Sequence, residues 1–390
     1  MFKLDAELEE FRNHVRRFAE KEFSGDAAKW DEQELFPEKN RKKLAEQGYL
    51  GLLIPEEYGG YGAPIIQSVL FVEEIGRICF NTATICQIYL HGPSRAITIL
   101  GNEDQKKRWL PGVVTGDYMF AISISEANAG SAVTDLRTTA VKDGDSYVIN
   151  GSKCFTTLGE FATHILVFVR FEKSKGARGI GAIVVERDTP GITFGKPDKK
   201  MGGRGVPESD VFFDDCRVSE ENVLVMGKQD SSQGFKTLMD AFGPERCCNA
   251  AICVGIAQGA YEIAKAYAED RLQFGRPLME FQGIQWKIAD MATQLHAARM
   301  MVYRAATNEV NGFPEPKEVA MAKLYANEMV QRVTNEALQI HGHYGYTRAF
   351  PLERMYRDGR GYAVGGGTTE ILRNTIAAME FGRTFNQRSS

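Results

Sequence analysis

The hydrophobic pattern of this chain changes period twice, and that double switch restricts its fold more than any single motif. Up to residue 117 apolar residues recur at helical spacing, as in "FRNHVRRF", where Phe11, Val15 and Phe18 share one face. "PEKNRKKLAEQG" predicts a helix stopped at Gly48. From about Tyr118 the apolar residues form short alternating or β-branched runs, "FAISIS", "HILVFVRF", "IGAIVVER" and "DVFFDD", divided by turn signals such as Asp143-Gly144. From about Gly234 the helical period returns in three long amphipathic segments, "AAICVGIAQGAYEIAKAYAEDRLQF", "FQGIQWKIADMATQLHAARMMVYRAATNEV" and "EVAMAKLYANEMVQRVTNEALQI". The expectation is an α+β chain in three units: helices over 1–117, a β domain over 118–230 and a helical bundle over 231–390. The βαβ alternation of a doubly wound sheet is missing. At 390 residues each unit is long enough to bury its own core.

Several function classes are disfavoured at this level. A formal charge of −4 without a basic stripe gives nucleic acid no footprint. No run of about 18 apolar residues offers a membrane span. The first segment is too rich in acids for a transit peptide and has no signal-peptide core. Seven cysteines form no CxxC pair, and an odd count suits reduced thiols, so a cytoplasmic location is expected, with the mitochondrial matrix as the alternative. "RCCNAAIC" reads as small buried residues of a helix. His341 and His343, two apart in a Gly-rich turn, do not make a metal site, and no metal is expected.

Four segments carry candidate chemistry, each with a plain alternative. "GGGTTE" (365–370) lacks the lysine of a P-loop and reads first as a turn before an N-cap, but glycines ahead of a helix leave N–H groups free for an oxyanion. "SISEANAGSAVTDL" (123–136) is a small-residue loop that lets backbone approach a flat or phosphorylated ligand. "AFGPERCC" (241–248) puts Pro244 and Glu245 where any helix start prefers a proline and an acid. "AEDRLQFGRPLMEFQGIQ" (268–285) is a helix–turn–helix joint that explains Gly275 and Pro277 without function. "QIYLHGPSRA" (87–96) reads as a helix interrupted at Gly92-Pro93 with ordinary surface polar residues. The alternative is that Gln87, Tyr89, His91 and Arg95 meet a polar acyl group.

Taken together, "LIPEEYGGYG", "ISISEANAGSAVTDL", "INGSKCFTT", "KKMGGRG", "VFFDDCRVSEENVL", "DRLQFGRPLMEFQ", "QIHGHYGY" and "GGGTTEILRN" occur in the order found in the acyl-CoA dehydrogenase family, and the chain resembles that family from about residue 5 to 385. The resemblance implies an N-terminal helical domain, a central β-barrel-like domain and a C-terminal four-helix bundle. It also implies FAD as cofactor, an acyl-CoA substrate, a homotetramer and electron-transferring flavoprotein as partner. Residue by residue, Ile122, Ile124, Ser125 and Ser131 match the flavin-lining loop, with Ser131 also at the CoA arm, although Ala127, Asn128 and Ala132 depart from the usual pattern. Phe155 and Thr157 match the pair beside the isoalloxazine, where Trp is commoner than Phe. Arg271, Gln273 and Phe274, with Gln339, Gly342 and His343, match segments that reach a neighbouring subunit's FAD, His343 being a departure from glycine. Thr368 and Glu370 match cofactor contacts that open the last helix.

In much of the family the residue before "Gly-Thr" is the glutamate that removes the substrate α-proton, and here it is Gly366. A subset that includes isovaleryl-CoA dehydrogenase keeps its base on another helix, at a position matching Glu245. The implied site therefore has Glu245 as base, the Gly366 N–H as an oxyanion donor, and Phe242, Gly243 and Arg246 beside the substrate. The reaction implied is α,β-dehydrogenation with hydride passing to flavin N5. The alternatives are a desulfinase, an enoyl-CoA reductase, a nitroalkane-type oxidase or a non-catalytic FAD- or CoA-binding subunit.

Overall fold

The computed structural model describes residues 4–171, 173–310 and 313–385. The first unit contains α1 (Ala6–Phe23), α2 (Ala27–Glu32), α3 (Glu38–Glu46), α4 (Ile65–Gly76), α5 (Phe80–His91), α6 (Pro93–Leu100) and α7 (Glu103–Thr115). Local chemistry sets their ends. Asp5 caps α1 by accepting the Leu8 N–H at 2.8 Å, and Asn102 with Gln105 forms a capping box on α7. Gly48 ends the α3 segment at φ +73°, as its position suggested. Pro93 forces the break between α5 and α6, because its ring removes a donor and excludes the preceding turn.

The middle unit is one eight-stranded sheet of β1 (Phe120–Ser123), β2 (Thr139–Asp143), β3 (Ser146–Thr157), β4 (His164–Arg170), β5 (Ile180–Glu186), β6 (Ile192–Phe194), β7 (Glu208–Ser219) and β8 (Val223–Val225). Its order is β6-β7-β3-β2-β4-β5-β8, with β1 running parallel to β4. Val211 and Phe213 of β7 share a buried cluster with Ile165 and Val167 of β4, three places away in the sheet, so the sheet curls around its own core. The opposite face of β4 presents Leu166 and Phe168 to the helical core. That double burial explains why "HILVFVR" is a continuous apolar run and does not alternate.

The last unit holds α8 (Gln233–Ala241), α9 (Gly243–Asp270), α10 (Gln282–Thr307), α11 (Pro316–His341), α12 (His343–Tyr346), α13 (Leu352–Gly359) and α14 (Thr369–Glu380). α9, α10, α11 and α14 pack into a bundle, and α9 also packs on α4 and α5 of the first unit. At that crossing a Cβ on Gly255 would lie 2.2 Å from the Glu73 carbonyl oxygen, so only glycine lets the two helices approach. The stretch Gln233–Asp270 is long and apolar enough to span a membrane, but 78% of its apolar window is buried inside the protein, which marks a core helix. The same burial holds Cys247, Cys248 and Cys253 at zero exposure and pushes their thiols up, in agreement with a packing role. Among the described residues no cluster of His, Cys, Asp or Glu could hold a metal ion.

Candidate active site

Glu245 projects from the first turn of α9 toward α5, where its Oε1 accepts the Gln87 side-chain N–H at 3.0 Å. Gln87 Oε1 accepts the Tyr362 hydroxyl at 2.6 Å, and that hydroxyl lies 3.2 Å from Thr84 Oγ1. Side chains from α5, from the start of α9 and from the turn before α14 thus converge on one carboxylate. Burial lifts the Glu245 carboxyl above the ordinary carboxylate range, while the charges of Arg246 and Lys323 and the Gln87 hydrogen bond favour the charged form and limit the rise. Asn249 has zero exposure, and both its amide atoms lack a hydrogen-bonding partner among the described residues.

The triglycine turn faces this carboxylate. Gly366 and Gly367 adopt φ of +67° and +98°, which disfavour any residue with a Cβ. A Cβ built on Gly366 would stand 3.8 Å from Glu245 Oε1 and 2.7 Å from Asn249 Nδ2. The position without a side chain and the carboxylate from α9 therefore address the same volume. Beneath the turn, Lys323 of α11 donates to the carbonyls of Gly365 and Gly367, each at 2.7 Å, and of Tyr362 at 3.2 Å. Arg246 Nε reaches the Gly366 carbonyl at 3.4 Å, while Phe242 is buried and Gly243 partly so. Thr368 caps α14 by accepting the Ile371 N–H at 3.3 Å, and the helix start draws Glu370 down from the usual carboxylate range.

A second surface assembles from β1, β3 and the loop between β1 and β2. The Cys154 N–H donates to the Ser125 carbonyl at 2.9 Å, and Ser123 Oγ lies 2.6 Å from Thr156 Oγ1. These bonds bring Ile122, Ile124 and Ser125 beside Phe155 and Thr157. A bulge between Lys153 and Thr156 puts Phe155 at φ +56° with its ring 63% exposed. An exposed aromatic ring, partly exposed aliphatic neighbours and a hydroxyl edge fit a flat amphipathic ring such as an isoalloxazine. Glu126 pins the adjoining loop that carries the exposed Ser131, accepting the N–H groups of Arg137 and Thr138 at 2.7 and 2.9 Å and Lys153 Nζ at 2.8 Å.

The remaining expected cofactor residues are not brought to this place. Arg271, Gln273 and Phe274 lie beyond the far end of α9 in an exposed hairpin, Phe274 at 94% exposure. At 1.5 Å per residue, α9 separates Arg271 from Glu245 by about 39 Å. Gln339, Gly342 and His343 are exposed on the same side, where Arg271 lies over the Tyr344 ring at 5.8 Å. One chain therefore holds these residues in separate groups, with Arg271, Gln273 and Phe274 past the end of α9 that is remote from Glu245.

One expectation is overturned. Gln87, Tyr89 and His91 are not surface polar residues: their exposures are 5%, 3% and 0%. The break at Gly92-Pro93 is as expected, but α5 is enclosed on nearly all sides and its polar residues point into the protein. His91 meets Ser68 Oγ at 2.7 Å, and burial pushes its imidazole down to about 3. Lys323, Asn249 and Tyr362 went unnoticed in the sequence. For Lys323 a signal existed, because it interrupts the apolar stripe Val319, Ala326, Val330 and Val333 of α11.

Comparison with known proteins addresses the chain as a whole. The chain matches the acyl-CoA dehydrogenase N-terminal, middle and C-terminal domain models over residues 5–117, 121–216 and 232–380. It is 43% identical to an acryloyl-CoA reductase (NADH) of Anaerotignum propionicum, over 96% of this chain and 95% of that one. It is 41% identical to a 3-sulfinopropanoyl-CoA desulfinase of Paraburkholderia xenovorans over the full length of both. Among solved structures, butyryl-CoA dehydrogenase from Megasphaera elsdenii superposes with a TM-score of 0.93 at 34% identity, covering 98% of this chain and all of that one. Three successive domain matches, full-length relatives and a shared architecture make this chain a member of the acyl-CoA dehydrogenase family, FAD-dependent oxidoreductases.

Proposed function

We propose that this chain catalyses α,β-dehydrogenation of an acyl-CoA thioester to the 2-enoyl-CoA, with Glu245 as the base. The observation that carries the reading is the convergence of Glu245 Oε1 on the volume that a side chain at Gly366 would enter. Glu245 takes the α-proton, and its burial raises it toward the range where a carboxylate works as a base near neutral pH. The Gly366 N–H holds the thioester oxygen as it gains charge, a donor worth about 3 kcal/mol in such sites. Phe242, Gly243 and Arg246 flank the acyl group. When bound, FAD supplies the hydride acceptor, N5 of its ring. Ile122, Ile124, Ser125, Ser131, Phe155, Thr157, Thr368 and Glu370 hold it within the chain.

Arg271, Gln273, Phe274, Gln339, Gly342 and His343 lie too far from Glu245 to join that contact set, which supports their serving a neighbouring subunit in a homotetramer. An electron-transferring flavoprotein as acceptor, three functional units over 1–117, 118–230 and 231–390, and a cytoplasmic site of action complete the reading. The second reading is the reverse direction: a Glu245 carboxyl that burial lifts toward its protonated form would return the α-proton to an enoyl-CoA as the β-carbon took hydride from reduced flavin, and one relative is named as a reductase. The test is Glu245→Gln, which keeps an acceptor for Gln87 but removes the base. Flavin bleaching by a panel of acyl-CoAs of different length, branching and ring content should slow by about 10²–10⁴-fold with FAD content unchanged. Undiminished bleaching in this variant would overturn the assignment.

A further inference from the structure

Lys323 is a fully buried ammonium on α11. No carboxylate among the described residues forms a salt bridge with it. Its three hydrogen bonds go to main-chain carbonyls, those of Gly365 and Gly367 at 2.7 Å and of Tyr362 at 3.2 Å. Such a cation is costly to bury, and burial pushes it down to about 8 against the pull of Glu245 and Cys253. Its placement matters because of peptide geometry. In a planar trans peptide the carbonyl and the following N–H point in opposite directions. A carbonyl of Gly365 drawn inward to Lys323 therefore turns the Gly366 N–H outward. Gly366 is exposed, and its N–H meets no backbone acceptor among the described residues. The neighbouring Gly366 carbonyl goes the other way, to Arg246. This alternation of carbonyls is what the positive φ values at Gly366 and Gly367 permit.

We propose that Lys323 is the positioning residue of the oxyanion site: by holding the Gly365 carbonyl it aims the Gly366 N–H into the cleft and polarises it toward a thioester oxygen, and by holding the Gly367 carbonyl it fixes the other side of the turn. The inference rests on the acyl-CoA reading above. A charge-assisted bond to a carbonyl withdraws electron density from the same amide, which makes its N–H a stronger donor. The ammonium thus acts on the substrate through one peptide unit, without touching it.

The test compares wild type with Lys323→Met, Lys323→Gln and Lys323→Arg as FAD-loaded enzymes. The probe is butyryl-CoA carrying a heavy-carbon label at its carbonyl and deuterium at its α-carbon. In wild type the infrared carbonyl band should lie below that of the free thioester, and the α-deuterons should exchange with solvent. In Lys323→Met, at saturating ligand, the band should return toward the free position and exchange should slow by about 100-fold, with KM little changed. Lys323→Gln should fall between, and Lys323→Arg should retain most of the band shift. A band unmoved in Lys323→Met, or in Lys323→Gln should the methionine variant not fold, would overturn this inference alone, since a merely structural lysine would lower stability without touching the carbonyl. A wild type that neither shifts the band nor exchanges the α-deuterons would overturn the acyl-CoA reading, and this inference with it.

Discussion

Gln87 is the residue whose replacement most directly tests the electrostatics of the site. Its Nε2 donates to Glu245 Oε1 at 3.0 Å, and its Oε1 is held by the Tyr362 hydroxyl at 2.6 Å, so the donor is pre-aimed at the carboxylate. A donor to a carboxylate stabilises the charged form and holds its pKa down, so Gln87→Leu must raise it. A hydrogen bond to a charged group is worth about 1.5–3 kcal/mol, and about 1.4 kcal/mol corresponds to one pH unit. The expected rise is thus about 1–2 units beyond the value burial already imposes. Tyr362 keeps Thr84 as a neighbour at 3.2 Å, so the change is local.

On the proposed reading Glu245 is a base only when ionised, so the acidic limb of the kcat/KM profile should move up by that amount while the plateau at high pH is nearly kept. Anaerobic flavin bleaching in a stopped-flow instrument, from about pH 5 to about pH 9, reads this limb directly. Gln87→Glu should move it further, since two facing carboxylates resist joint ionisation. A uniform loss of rate with an unmoved limb would refute the reasoning and reduce Gln87 to a packing residue.

Two further outcomes follow from single contacts. Gly366→Ala should retain the fold but lose flavin-reduction rate by about tenfold or more, because a Cβ there meets Asn249 Nδ2 at 2.7 Å and the left-handed backbone adds about 1–2 kcal/mol. An unchanged rate would show that the turn shifts freely. Glu73→Ala should lower stability by about 3–5 kcal/mol in denaturant titration, since Glu73 is 1% exposed and accepts Arg299 Nε at 2.9 Å, the Tyr303 hydroxyl at 2.9 Å and Arg12 Nη2 at 3.5 Å. A loss below about 1 kcal/mol would show that the partly buried arginines find other partners or water.

The order of helices, sheet and helices was legible because the two hydrophobic periods differ and each persists for several elements. The turn at Asp143-Gly144 and the stop at Gly48 were legible because both need left-handed backbone. Glu245 alone was not, since an acid after Pro244 is what any helix start prefers. It gained meaning only beside the missing side chain at Gly366. Gln87 was named only as a possible acyl contact, and its burial against Glu245 stayed hidden for a different reason. α5 is buried on nearly every side, so no amphipathic face tells which polar residue points inward or at what. The separation of Arg271 from Glu245 depends on the 28-residue length of α9, and a sequence pattern gives that only to within a turn or so.

The choice of helix for the base has a physical limit. The point that must hold a carboxylate is fixed by where the substrate α-carbon sits, not by which helix delivers the side chain. Here the Gly366 Cβ position and Glu245 Oε1 are 3.8 Å apart, so carboxylates from both sources would crowd one small volume. Two unit charges at about 4 Å repel by about 4 kcal/mol at the effective dielectric of a partly buried site. One of them would then hold its proton and cease to be a base. A site of this shape supports one ionised carboxylate, and once α9 supplies it the turn before α14 is freed for another task. Glycine there leaves Lys323 within reach of the turn's carbonyls and the N–H open to the cleft. The loss of a side chain at Gly366 and the presence of Glu245 are thus two sides of one electrostatic constraint.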